Sequence, residues 1–151
     1  MGQSLVRILI HLVYSTKNRQ PWIDDNVRDG LFAYQAGIFK SCESQAVIIG
    51  GVDDHVHALF ALSKNWTLID VIEEVKKGSS KWMKSSEGIG DRSFQWQSGY
   101  AAFSVSPSKE PTVYDYIENQ PEHHQRKSYQ VELRQLLKCH RIEFDERYLW
   151  D

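Results

Sequence analysis

At 151 residues, with 41% hydrophobic content and a formal net charge of -2, the chain can bury one sizeable core and is too short for two ordinary domains. Residues 1–151 are therefore read as a single domain, and the near-neutral charge excludes a uniformly basic nucleic-acid binder, leaving room only for a local patch. Two distant cysteines, Cys42 and Cys139, fit neither a zinc spacing nor a disulfide framework, and no apolar run is long enough to span a bilayer, so a cytoplasmic protein with no membrane partner is expected.

Residues 5–14 are rich in Ile, Leu and Val on both alternating faces, as in an interior strand covered on two sides. A polar and basic loop follows, closed by Pro21 and Trp22. Asp24 or Asp25 can cap a first helix, in which Val27, Leu31, Tyr34, Ile38 and Phe39 recur at helical spacing as far as Lys40. Residues 45–52 form a second strand, and Asp53-Asp54 turns the chain directly into a third strand that runs to Leu62. Thr67 with Asp70 resembles a capping box for a second helix reaching Ser85. That helix carries Leu68, Val71, Ile72, Val75, Trp82 and Met83 on one face and Lys76, Lys77, Lys81 and Lys84 on the other, and a lysine run of this kind is ordinarily a solvated face. After a glycine-containing loop, residues 101–106 alternate like a fourth strand.

The order β-α-β-β-α-β predicts a ferredoxin-like α+β sandwich, a four-stranded antiparallel sheet with two helices on one face. Beyond it, Thr112 is read as the cap of a third helix in which Tyr116 and Gln120 lie one turn apart, with a kink or stop at Pro121. A last helix spans residues 128–139, carrying Val131, Leu133, Leu136 and Leu137.

His55 and His57 flank Val56 in the third strand, so their side chains share a face while Val56, Ala58, Phe60 and Leu62 point the other way. Two histidines at this spacing also fit a solvated strand face. Read as ligands, they complete a set of parts. A phosphodiester can be broken without hydrolysis when a tyrosine attacks phosphorus while a divalent metal withdraws charge from the phosphate oxygens. Such a reaction needs rigid metal ligands on a strand, a third ligand and a phenol, which His55, His57, Gln120 and Tyr116 supply. His123 and His124 are set aside as a metal pair, because adjacent helical residues point about 100° apart. Asp53 and Asp54 are turn residues, either of which could orient a histidine.

The segments His11-Leu12-Val13-Tyr14-Ser15-Thr16-Lys17-Asn18-Arg19, Asp54-His55-Val56-His57, Ser79-Ser80-Lys81-Trp82 and the stretch from Tyr116 through His124 together resemble the single-tyrosine HUH transposases of bacterial insertion sequences, the IS200-like family, and their REP-associated relatives. Ala58 departs from the family's aliphatic run after the second histidine. The resemblance implies a metal-dependent single-strand DNA nuclease and strand transferase, with Tyr116 as nucleophile and Mg2+ or Mn2+ at His55, His57 and Gln120. It further implies a 5′-phosphotyrosine intermediate, single-stranded DNA substrates with hairpin ends, and a homodimer with active sites shared between protomers. Tyr114 lies about 200° from Tyr116 around the helix, and its own i+4 residue is Glu118; the resemblance selects Tyr116. Lys17, Arg19, Lys77, Lys81, Lys84, Arg126 and Lys127 become candidate phosphate contacts, and Trp22 or Trp96 candidate stacking platforms, although a tryptophan is at least as common in a core. The alternatives are a REP-associated or domesticated hairpin-binding relative that does not transpose, and a small-phosphodiester hydrolase in which Tyr116 would have no role.

Overall fold

A computed structural model describes residues 2–151. Strands β1 (Ile8–Ser15), β2 (Ala46–Gly51), β3 (His55–Leu62) and β4 (Ala101–Val105) form one antiparallel sheet in the order β2-β3-β1-β4. This is the ferredoxin-like arrangement expected from the element order. β1 begins three residues later than the apolar run, because its ladder with β3 starts at the Ile8–Leu62 pair; Leu5 and Val6 have no strand partner and are exposed.

Helices α1 (Arg28–Ser41) and α2 (Leu68–Lys84) cover one face of the sheet. Ile10, Leu12 and Tyr14 from β1 and Val56, Ala58 and Phe60 from β3 meet Leu31, Phe39, Val71, Ile72, Val75 and Met83 there. α1 starts at Arg28 rather than directly after Asp24 or Asp25. The Asp24 carboxylate accepts from the amides of Asn26 and Val27, so it closes a turn ahead of the helix instead of capping the helix itself. Thr67 does cap α2, accepting from the Asp70 amide at 3.1 Å.

The opposite face is covered by the C-terminal third of the chain, in α3 (Glu110–Glu118), α4 (Gln120–His123), α5 (Tyr129–Cys139) and the short α6 (Glu146–Leu149). Thr112 is not the cap of α3. The helix begins two residues earlier, with Pro111 in its first turn, where a missing amide costs nothing. The break expected at Pro121 is present: α3 stops at Glu118, Asn119 leaves helical geometry, and α4 restarts at Gln120. α5 is capped by Ser128, whose side chain accepts from the Val131 amide. Its buried stripe is Tyr129, Glu132, Leu133 and Leu137, an i, i+3, i+4, i+8 pattern that leaves Val131 exposed and takes a carboxylate inside. Tyr129, Leu133 and Leu137 pack on Val13 and Phe103, while Ile117 of α3 packs on Leu9 and Leu59.

α3 sits so close to β2 that residue 50 has to be glycine. A Cβ on Gly50 would lie 2.6 Å from the Ile117 carbonyl oxygen and 2.9 Å from its Cγ2. Gly50 pairs with His57 across the ladder, and Ile117 is the neighbour of Tyr116. Gly50→Ala is therefore expected to push α3 off the sheet at a cost of about 1–3 kcal/mol, typical of overpacking. Thermal melting reports the loss.

Candidate functional site

β3 divides its side chains between two interiors. Val56, Ala58 and Phe60 enter the core beneath α1 and α2, whereas His55 and His57 point beneath α4 and α5 and are fully buried. The two imidazoles meet Glu132 of α5. One of its carboxylate oxygens, Oε1, lies 3.2 Å from His55 Nε2, 3.0 Å from His57 Nε2 and 3.1 Å from His124 Nε2. The other, Oε2, accepts from the Tyr116 hydroxyl and, at 3.0 Å, from Gln120 Nε2. Gln120 Oε1 is 3.2 Å from His55 Nε2. The structure thus gathers His55, His57, Gln120 and Tyr116 at one point, all from a single chain.

The outer ring nitrogens of both strand histidines are occupied. His55 Nδ1 faces Asp54 Oδ1 at 2.7 Å, and His57 Nδ1 faces His11 Nε2 at 2.8 Å. When each Nδ1 carries the proton, its Nε2 lone pair is directed to the centre, which is the tautomer that a metal requires. Asp54 is held for this task by backbone bonds, since the carbonyls of Asp54 and Asp53 accept from the amides of Thr16 and Ile23.

Burial and neighbouring charge act in opposition here. Burial lowers the affinity of His57 and His11 for a second proton. At His55 burial pulls the same way, but the Asp54 and Glu132 carboxylates outweigh it and raise the pKa. Burial alone would raise the Glu132 carboxyl; hydrogen bonds from His124, His55 and His57 hold it far below the usual range instead. The Tyr116 phenol is pushed up by burial and by the Glu132 charge, so in this setting it stays a neutral donor. Its ring stacks on His123 at a centroid distance of 4.8 Å and meets His57 edge-on at 5.8 Å. Tyr114 is exposed on the outer side of α3.

His55, His57, His124 and Glu132 each offer a ligand atom, and these atoms lie within 4.8 Å of one another, close enough to hold one metal ion. His124, set aside together with His123, lies within this cluster. The argument about adjacent helical residues holds for the pair, since His123 turns to the Tyr116 ring and His124 turns to Glu132. The progression Tyr116, Gln120, His124 at intervals of four would have found His124. Glu132 had a weaker signal, as a lone carboxylate inside an apolar helical stripe, and His11 had one as a polar residue inside a buried strand.

Of the basic residues expected to meet phosphate, Arg126 and Lys127 line an exposed cleft with Glu122, His123 and Gln125 beside the site, and Lys127 donates to Gln135. Lys17 and Arg19 form the turn that follows β1, where the Arg19 guanidinium sits over the Trp150 ring. Lys77, Lys81 and Lys84 belong to α2, on the far side of the sheet from the histidines, although Lys77 shares a groove with Lys17. Lys76 is otherwise engaged, donating to the Gln97 and Gly99 carbonyls at 2.5 and 2.9 Å. Trp96 is not a stacking platform. It is buried in the main core with its indole donating to Ser79, and Trp22 is partly buried against the same core.

The chain is similar in structure to a protein of Deinococcus radiodurans R1 assigned as a transposase, with 25% identity and a TM-score of 0.62, over 80% of this chain and 96% of that one. A REP-associated tyrosine transposase bound to a REP hairpin has the same fold, with 14% identity and a TM-score of 0.60, over 82% of this chain and 73% of that one. No curated protein matches the sequence. Residues 4–120, more than half of the chain, match the family described as Transposase IS200 like, from before β1 through Gln120. With the antiparallel sheet, the paired strand histidines and the tyrosine helix in place, the chain belongs to the IS200-like transposase family.

Proposed function

We propose that this protein cuts and rejoins single-stranded DNA at hairpin-bearing ends, with Tyr116 as the nucleophile. The observation that carries this reading is the convergence of the Tyr116 hydroxyl and the His55 and His57 imidazoles on one carboxylate, Glu132. Attack by the Tyr116 oxygen on phosphorus forms a 5′-phosphotyrosyl link and releases a 3′-hydroxyl; a 3′-hydroxyl attacking that link reverses the step, so no bond energy is lost to water. His55, His57 and Gln120 would hold a divalent metal, Mg2+ or Mn2+, which when bound neutralises charge on the phosphate oxygens. His123 holds the Tyr116 ring by stacking, and α3 fixes its direction by seating Ile117 against Leu9 and Leu59.

Lys17, Arg19, Lys77, Lys81, Lys84, Arg126 and Lys127 are the proposed phosphate contacts, and the hairpin-bound structural neighbour supports a hairpin as the element recognised. The test is incubation with end-labelled single strands carrying a hairpin beside the cut site, with divalent metal and with chelator. A protein–DNA adduct stable to denaturant, formed only with metal, is expected; turnover of a chromogenic phosphodiester without any adduct would replace this reading with hydrolysis.

A homodimer is part of the same proposal, tested by sedimentation at micromolar concentration. Tyr116 here meets the histidines of its own chain, so mixing Tyr116→Phe with His57→Ala protomers is expected to restore no adduct. Recovery would mean that α3 is exchanged between protomers.

A further inference from the structure

We propose that the buried centre is a nitrogen-rich site for a first-row transition ion, with His124 and Glu132 as ligands beside His55 and His57, and that it discriminates against Mg2+. The inference rests on the reading above that His55 and His57 bind metal; it adds two ligands, leaves Gln120 beside the ion rather than on it, and narrows the choice of Mg2+ or Mn2+ to the transition-metal class. Both added residues lie beyond the segment that matches the family, residues 4–120.

Lone-pair counting carries the argument. A carboxylate oxygen has two lone pairs, yet Glu132 Oε1 has three ring nitrogens within 3.0–3.2 Å. A third imidazole gains no good hydrogen bond from such an oxygen. The nitrogens nonetheless converge there from two elements, β3 and the end of α4, with two of the rings fixed from behind by Asp54 and His11. Three Nε2 lone pairs and one carboxylate oxygen, all within 4.8 Å of one another, make a ligand set for one cation. All four residues are buried or nearly so, so solvent does not explain their grouping.

The donor types then select the ion. Mg2+ takes oxygen ligands in near-ideal octahedra and keeps several waters, a shell that three imidazole nitrogens do not match. Imidazole suits zinc, cobalt, nickel and iron, and a mixed imidazole and carboxylate set also accepts manganese. The expected affinity order is Mn2+ below Co2+, with Mg2+ weakest of all. Gln120, whose amide donates to Glu132 Oε2 and whose carbonyl faces His55, stays at the edge of the centre and ties it to Tyr116.

Isothermal titration of metal-free, folded protein with MgCl2, MnCl2, CoCl2 and ZnCl2 tests the proposal without any activity readout. One transition ion per chain should bind, with Co2+ giving visible absorption bands of low-symmetry nitrogen coordination, and Mg2+ should compete at least about tenfold less well. Loss of an outer partner of a metal ligand costs about 10–100-fold in affinity, so His124→Ala and Glu132→Gln, as direct ligands, should each weaken Co2+ by at least that much. Circular dichroism confirms folding of the variants, and the wild-type selectivity series needs no variant. Equal affinity for Mg2+ and Mn2+, or unchanged Co2+ binding in both variants, overturns the proposal. If in addition His57→Ala abolishes binding, the His55 and His57 reading stands without it; if the wild type binds no ion, both fall.

Discussion

Tyr116→Phe is expected to yield no covalent protein–DNA adduct while retaining fold, metal and hairpin binding. The substitution removes one oxygen. The ring keeps its stack on His123 and its edge contact with His57, and α3 keeps its seat through Ile117. Glu132 Oε2 loses the hydroxyl donor but still accepts from Gln120, so the stability change should stay near the about 1.5–3 kcal/mol of one hydrogen bond to a charged group. The activity change has no such bound, because phenylalanine offers no atom to attack phosphorus. Tyr114→Phe is the control: Tyr114 is exposed on the other side of α3, and its loss should leave adduct yield at the wild-type level. Adduct formation by Tyr116→Phe together with an inactive Tyr114→Phe would transfer the nucleophile to Tyr114. A labelled single strand, resolved on a denaturing gel, reads every arm.

His57→Ala should abolish both metal binding and metal-dependent cleavage, with hairpin binding retained. His57 sits at the middle of the polar network, with Nδ1 on His11 and Nε2 on Glu132, and has no solvent exposure. Removing it leaves His11 Nε2 without its partner and takes one donor from Glu132. Each buried polar group left unsatisfied costs about 1–3 kcal/mol, and Glu132 remains held by His55 and His124. The protein should melt earlier yet still fold. DNA affinity comes from phosphate and hairpin contacts elsewhere and should change little. Full cleavage by His57→Ala, or by wild type in excess chelator, would remove the metal from the mechanism.

The sheet was legible in the sequence because its strands are short apolar runs, covered on both faces in β1 and β3, and bounded by turn, loop or cap chemistry. Asp53-Asp54 joins β2 to β3 as read, and Thr67 caps α2 as read. The local errors share one cause, which is that a residue able to cap does not always do so. Asp24 closes a turn, and Thr112 sits inside a helix that Pro111 has already begun. At the site, side chains that share a strand or one helical turn were legible: His55 with His57, and Tyr116 with Gln120. Glu132 was not, because a carboxylate in a helix ordinarily faces water, and only the three-dimensional meeting of α5 with β3 shows three imidazoles waiting for it. Trp96 takes the core alternative rather than the stacking one, a choice that its loop position left open and its satisfied indole settles.

The division of β3 between two interiors constrains how this protein can lose its chemistry over generations. Its even positions, Val56, Ala58 and Phe60, hold the main core, and its odd positions, His55 and His57, hold the polar centre. A one-residue insertion inside β3 would throw the residues on one side of it onto the wrong face, placing imidazole in hydrocarbon or aliphatic side chains against Glu132. Such a lineage would lose the fold together with the reaction, and selection would discard it. A descendant that keeps hairpin recognition but no longer cuts must therefore arise by substitution in place. Its coding sequence should show drift at codons 55, 57, 116, 120, 124 and 132, while codons 56, 58 and 60 remain under the same packing constraint as in an active relative.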